Sequence, residues 1–106
     1  MDFDLSIYAS NTGMKIMDKQ MATLLGYVAS EGSLRQAVKK VGCAYSKAWS
    51  DIHEAERALG FPLMIGATGS GSRLTAEGER YLKQYEEVIY LVEHHLKGLS
   101  DMSSRR

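Results

Sequence analysis

The residues able to do chemistry in this chain are few and unevenly spread. Cys43, His53, His94 and His95 are the candidate metal ligands, and none of their separations matches a zinc site. No Ser/His/Asp or Cys/His arrangement of nucleophile and base is visible, so no catalytic residue, no metal and no cofactor is expected. Gly66-Ala-Thr-Gly-Ser-Gly-Ser72 has the glycine content of a phosphate-cradling loop. It lacks the Gly-Lys-Ser/Thr ending and follows only a short apolar run, which argues against a P-loop. What remains is charge. From Gly32 to Ser50 the chain carries Arg35, Lys39, Lys40 and Lys47 and no acid; from Asp51 to Leu59 it carries three acids and one arginine. With 13 basic and 13 acidic residues the formal net charge is zero, so any positive surface is a local patch on a neutral domain.

The elements that must position this patch can be read from caps and periodicity. Phe3, Leu5 and Ile7 alternate with polar residues as a strand does, Asn11-Thr12-Gly13 supplies a turn, and Met14 and Ile16 suit a return strand. Asp18 is a good N-cap for a first helix with Met21, Leu24, Leu25 and Val28 on one stripe, stopped by Gly32. Ser33 caps a second, short helix with the stripe Leu34, Ala37, Val38 and Val41, ended by Gly42. A third starts near Ala44 or Tyr45, buries Ala48, Ile52, Ala55 and Leu59, and stops at Gly60 and Pro62. Phe61 to Ile65 and Arg73-Leu74 read as the arms of a hairpin whose tip is the glycine-rich stretch.

Thr75 caps a last helix, with Glu77 and Glu79 suiting the positive end of its dipole. Its apolar positions Leu82, Tyr85, Ile89, Val92, Leu96 and Leu99 repeat at steps of 3, 4, 3, 4 and 3, an a/d seam. This predicts a single domain over 1–106. Residues 1–17 form an N-terminal strand and turn, 18–75 a helix-turn-helix and wing, 76–99 a dimerisation helix, and 100–106 a polar, frayed tail.

Two short helices joined at a glycine turn and followed by a hairpin describe a winged helix-turn-helix, a mainly α fold with a minor β component. The second helix of such a pair enters a major groove about 12 Å wide only if its outer face is slim and polar. Here that face carries Tyr45, Ser46, Lys47 and Ser50, with Trp49 at its edge and more often a packing residue than a base-stacking one. Ser33 and Arg35 open the preceding helix, where hydroxyl, guanidinium and backbone N–H groups meet phosphates. Thr68, Ser70, Ser72 and Arg73 lie on the wing, whose glycines let backbone approach a sugar-phosphate chain.

Composition sets the outer bounds. At 106 residues there is room for one core and little else. Hydrophobic residues at 44% and charged residues at 25% are the balance of a folded protein. No apolar run approaches the ~18–20 residues of a membrane span, and the N-terminus lacks a signal sequence. A lone cysteine forms no internal disulfide, and the expected compartment is the cytoplasm.

Gly32-Ser-Leu-Arg-Gln-Ala-Val38 resembles the helix opening of LysR-type winged-helix domains. Tyr45-Ser-Lys-Ala-Trp-Ser-Asp-Ile52 is closer to one branch, the DNA-binding domain of the molybdate-responsive ModE regulators. Leu59-Gly-Phe-Pro-Leu63, the glycine-rich Gly66 to Gly71 and Leu74-Thr-Ala-Glu-Gly78 continue the likeness in order, over about residues 18–97. The resemblance implies a bacterial or archaeal transcription regulator that dimerises through its last helix and touches DNA with the 45–59 helix and the wing. Two departures stand out. Ala44 replaces the family's usual serine, and no counterpart of those regulators' effector domain is expected within these residues, so molybdate sensing is not carried over as an expectation.

The expectation is therefore a cytoplasmic homodimer that binds a pseudo-palindromic double-stranded DNA site, with no membrane and no small-molecule effector of the isolated subunit. The rival, from another class, is a winged-helix protein-interaction module that has lost DNA binding. Zero net charge and Ala44 favour it.

Overall fold

The computed structural model describes residues 8–11, 14–66 and 71–104, with side chains for 17–66 and 71–99. In chain order the elements are β1 (Tyr8–Asn11), β2 (Met14–Asp18), α1 (Lys19–Glu31), α2 (Leu34–Val41), α3 (Tyr45–Leu59), β3 (Met64–Ile65), β4 (Arg73–Leu74) and α4 (Ala76–Ser104). The two sheets are separate antiparallel pairs, β1 with β2 and β3 with β4. The strand expected on Phe3, Leu5 and Ile7, the turn residues Thr12 and Gly13, and the wing-tip residues Thr68 and Ser70 lie outside the described residues.

Local chemistry sets the helix boundaries. The Asp18 carboxylate accepts the Met21 N–H at 2.8 Å, and the Ser33 hydroxyl accepts the Gln36 N–H at 3.0 Å. Each side chain satisfies one of the N–H groups that a first helical turn leaves unpaired. Gly42 sits at φ 83° and closes α2 by donating its N–H to Val38, a left-handed conformation open to glycine at little cost. The turn from α2 to α3 is consequently only three residues long, the length of a helix-turn-helix connection.

The buried stripes of α1, α2 and α3 meet in one core. Met17, Leu25, Leu34, Ile52 and Leu63 are almost wholly buried, and Val28, Ala37, Ala48 and Ala55 fill the space between them. Each large side chain buried this way contributes about 1.5–3 kcal/mol, whereas a backbone hydrogen bond nets about 0.5–1.5 kcal/mol. The helical core, not the two-residue ladder of β3 and β4, therefore holds the wing in place. Phe61 to Ile65 was expected to be extended, but only Met64 and Ile65 pair. The preceding carbonyls are engaged by the start of α4: Pro62 accepts from the Thr75 hydroxyl at 2.7 Å and Leu63 from the Thr75 N–H at 3.0 Å.

Thr75 also caps α4, its Oγ1 accepting the Gly78 N–H at 2.8 Å. Gly78 lies against the Leu63 backbone so closely that a Cβ would collide with it. The last helix runs to Ser104, through five residues that the sequence pattern assigns to a frayed tail. At 29 residues it spans about 43 Å, most of the molecule's 56 Å long dimension.

Candidate nucleic-acid interface

With Ala48, Ile52 and Ala55 turned into the core, a period of 3.6 residues puts Ser46, Ser50 and Arg57 on the opposite face of α3. Lys47 and Asp51 fall on one flank, Trp49 and His53 on the other. Ser46, Lys47, Trp49 and Ser50 are exposed and Tyr45 is half-buried. The helix carries no side-chain cap, because Ala44 offers none, so N–H groups of its first turn remain open to another acceptor.

Beside this helix one arginine and three hydroxyl side chains converge from three elements. Ser33 and Arg35 from α2, Tyr45 from α3 and Ser72 from the wing line one small cleft of about 100 Å³. The Arg35 guanidinium sits over the Tyr45 ring, 5.6 Å from its centre, which steadies both side chains. The Ser72 N–H donates to the Gly32 carbonyl at 2.8 Å, so the wing's second arm is fastened to the turn between α1 and α2. Arg73 follows on β4, exposed. On the other side of the wing, Glu56 Oε2 accepts the backbone N–H groups of Leu63 at 2.7 Å and Met64 at 3.3 Å. One carboxylate thus ties α3 to the base of the hairpin.

Lys47 has a partner that the sequence reading did not assign. Its Nζ donates to Asp51 Oδ2 at 2.9 Å, and this hydrogen bond, together with the Asp51 charge, raises the lysine pKa above 10.5. The lysine is firmly charged, and its charge is offset one helical turn away. The signal was available, since an i,i+4 lysine–aspartate pair is a common helix contact. Trp49 departs further from expectation. It is 45% exposed and lies face to face with His53, ring centres 3.8 Å apart, instead of packing inward.

The proposed dimer seam on α4 divides in two. Leu82 and Tyr85 are only 7% exposed and belong to the domain's own core, with Ile89 partly buried against it. Assignment of Leu82 and Tyr85 to a partner is corrected accordingly: a heptad marks apolar positions without saying which neighbour covers them. Val92 and Leu96 are half-buried and Leu99 is exposed. Among the described side chains of α4 the most exposed apolar ones are Val88, Tyr90 and Leu91, off the seam altogether.

Residues 20–79 match the family described as bacterial regulatory helix-turn-helix protein, lysR family. The chain belongs to that family. Its members are regulatory proteins, not enzymes. Among curated proteins it is similar to the DNA-binding transcriptional dual regulator ModE of Escherichia coli K12, 31% identical over 88 residues, 79% of this chain and 34% of the relative. It is also similar to the transcriptional regulator ModE of Haemophilus influenzae, 30% identical over 91 residues, 82% of this chain and 36% of the relative. The chain thus spans about a third of the length of these relatives. Among solved structures it resembles a chain of the CbnR_DBD–DNA complex with a TM-score of 0.66, covering 85% of this chain and all of that one at 21% identity. That likeness establishes the winged helix-turn-helix fold.

Proposed function

We propose that this lysR-family domain is a sequence-specific DNA-binding transcription regulator, acting in the cytoplasm as a homodimer on a pseudo-palindromic duplex site. The observation that carries this reading is the convergence on one surface of an uncapped α3, the Ser33 and Arg35 end of α2, and the wing fastened beside them. A groove-entering helix needs such a frame, because contacts to phosphates set its register before any base is read. In this reading Ser33, Arg35, Ser72 and Arg73, with Thr68 and Ser70 of the wing tip, meet sugar-phosphate backbone. Tyr45, Ser46, Lys47 and Ser50 reach base edges or the phosphates beside them. The similarity to ModE, a DNA-binding transcriptional dual regulator in Escherichia coli, and the DNA complex of the structural neighbour support the same assignment.

Sensing of an oxyanion by this subunit is not part of the proposal. The groove between α1 and α4, about 410 Å³, is lined by Tyr27, Tyr85, Ile89 and Tyr90 together with Glu86 and Glu93. Lys19 at its edge is ion-paired with Glu93 at 3.7 Å. Its two carboxylates disfavour molybdate or sulfate electrostatically.

Selection of bound duplexes from a random pool tests the function directly. A shared inverted repeat is the expected product. Failure to retain any duplex at low salt overturns the reading and leaves the protein-interaction module in its place.

A further inference from the structure

Trp49 is the chain's one tryptophan, and it stands on α3 45% exposed. Other half-buried or buried aromatic side chains, Tyr45, Phe61, Tyr81 and Tyr85, pack on the core. Trp49 instead lies against His53, with the ring planes 22° apart and their centres separated by 3.8 Å. His53 is itself held: its Nδ1 faces the Trp49 carbonyl at 2.9 Å, and a carbonyl only accepts, so Nδ1–H is the donor. The indole is therefore presented in a fixed orientation, one turn beyond Tyr45 and beside Ser50. A flat apolar group prepared in this way loses little freedom on binding.

Resting on the DNA-binding reading above, we infer that Trp49, buttressed by His53, is a specificity-determining residue that reads a thymine through its C5-methyl group. The neighbouring side chains Ser46 and Ser50 offer only hydrogen bonds. On the major-groove edges of the four base pairs the apolar feature is the thymine methyl, so an exposed indole on this helix has one complementary target there. Contact with phosphates would leave the ring unsatisfied, since it carries no positive charge and a single N–H donor.

The test uses the full chain, the duplex recovered from the random pool, and the same duplex with deoxyuridine replacing each thymine in turn, which removes only the methyl. Affinity is read from the anisotropy of labelled DNA, and Trp49 emission is recorded in the same titration. The expected result is an emission change that saturates with the anisotropy. One thymine per half-site should also lose about fourfold in affinity when demethylated, the worth of burying one methyl-sized group. In Trp49→Ala that sensitivity should vanish while sensitivity to other substitutions stays. Binding of the selected duplex with unchanged Trp49 emission, or with no methyl-sensitive thymine, overturns this inference alone. If Trp49→Ala fails to fold, the wild-type emission and deoxyuridine series still decide. No binding of any duplex overturns the DNA-binding reading as well.

Discussion

At the scale of single residues, the ion pair between Lys47 and Asp51 separates two kinds of positive charge on the proposed surface. Arg35 and Arg73 are exposed, and among the described residues neither is paired with an acid; Lys47 shares its charge with a carboxylate at 2.9 Å. Every phosphate neutralised releases counterions and adds about 0.9 to the slope of log affinity against log salt. Arg35→Ala and Arg73→Ala should each weaken all duplexes alike and flatten that slope by roughly one unit. Lys47→Ala should change it less, and Asp51→Asn should steepen it, because the freed lysine becomes available to phosphate. A salt series on one random and one selected duplex measures all four variants. Equal slopes for Lys47→Ala and Arg35→Ala would show that Asp51 does not restrain the lysine.

A second residue-scale expectation concerns pH. Burial raises the pKa of Tyr85 above 10.0, and the nearby Asp18 charge pushes in the same direction; burial alone raises Tyr81. The folded protein then holds these phenolic protons at a pH where the unfolded chain releases them. The sign is fixed by linkage: stability falls wherever the folded state binds more protons as pH rises. The contribution is constant below about pH 10, the ordinary tyrosine value, and declines above it. Thermal midpoints from pH 8 to 11 should drop at the alkaline end, and Tyr85→Phe should make that drop shallower. An identical alkaline profile in the variant would contradict the assignment.

At the scale of elements, helices were legible in the sequence and pairings were not. Asp18, Ser33 and Thr75 are caps whose chemistry is local, so each start could be read from a few residues, and the structure bears out all three. The extent of β3 depended on which distant group would take the carbonyls of Pro62 and Leu63, and the answer, Thr75, lies twelve or thirteen residues on. Partners at that distance leave no periodic trace. Trp49 failed for a related reason, since spacing cannot distinguish a ring that packs inward from one stacked on the next turn. The missing cap of α3 gives a test at this scale. Ala44 has extended backbone, φ −74° and ψ 138°, suited to a capping residue, yet it has no side-chain acceptor. Ala44→Ser should stabilise the fold by about 1 kcal/mol, raising the thermal midpoint by roughly 4–8 °C for a domain of this size. An unchanged midpoint would mean that the first-turn N–H groups are already satisfied.

For the whole molecule, the question is what covers the outer half of α4. Tyr85 and Leu82 anchor the first turns to the core, but farther along Val88, Tyr90 and Leu91 are half or more exposed, Leu91 at 65%. Val88 and Leu91 with Val92, Leu96 and Leu99 make an apolar flank on a helix about 43 Å long, more than an isolated small domain ordinarily leaves in water, whereas Tyr90 lies on another side, stacked on His94. A second copy pairing along this flank would bury it in both chains at once, the self-complementary arrangement of a two-fold dimer, and would set two copies of α3 for two half-sites. Ile89 is a poor probe of this idea, since it is partly buried against its own core and Ile89→Glu would damage the fold as well as any interface. Leu91 is a clean one. Leu91→Glu should leave the thermal midpoint of the monomer nearly unchanged and convert a dimer to a monomer by light scattering at tens of micromolar. The variant should still bind a single half-site weakly while losing the gain that a full inverted repeat confers, because the second contact is no longer intramolecular. A wild-type protein that scatters as a monomer at that concentration, or a Leu91→Glu variant that remains a dimer, would place the assembly surface elsewhere.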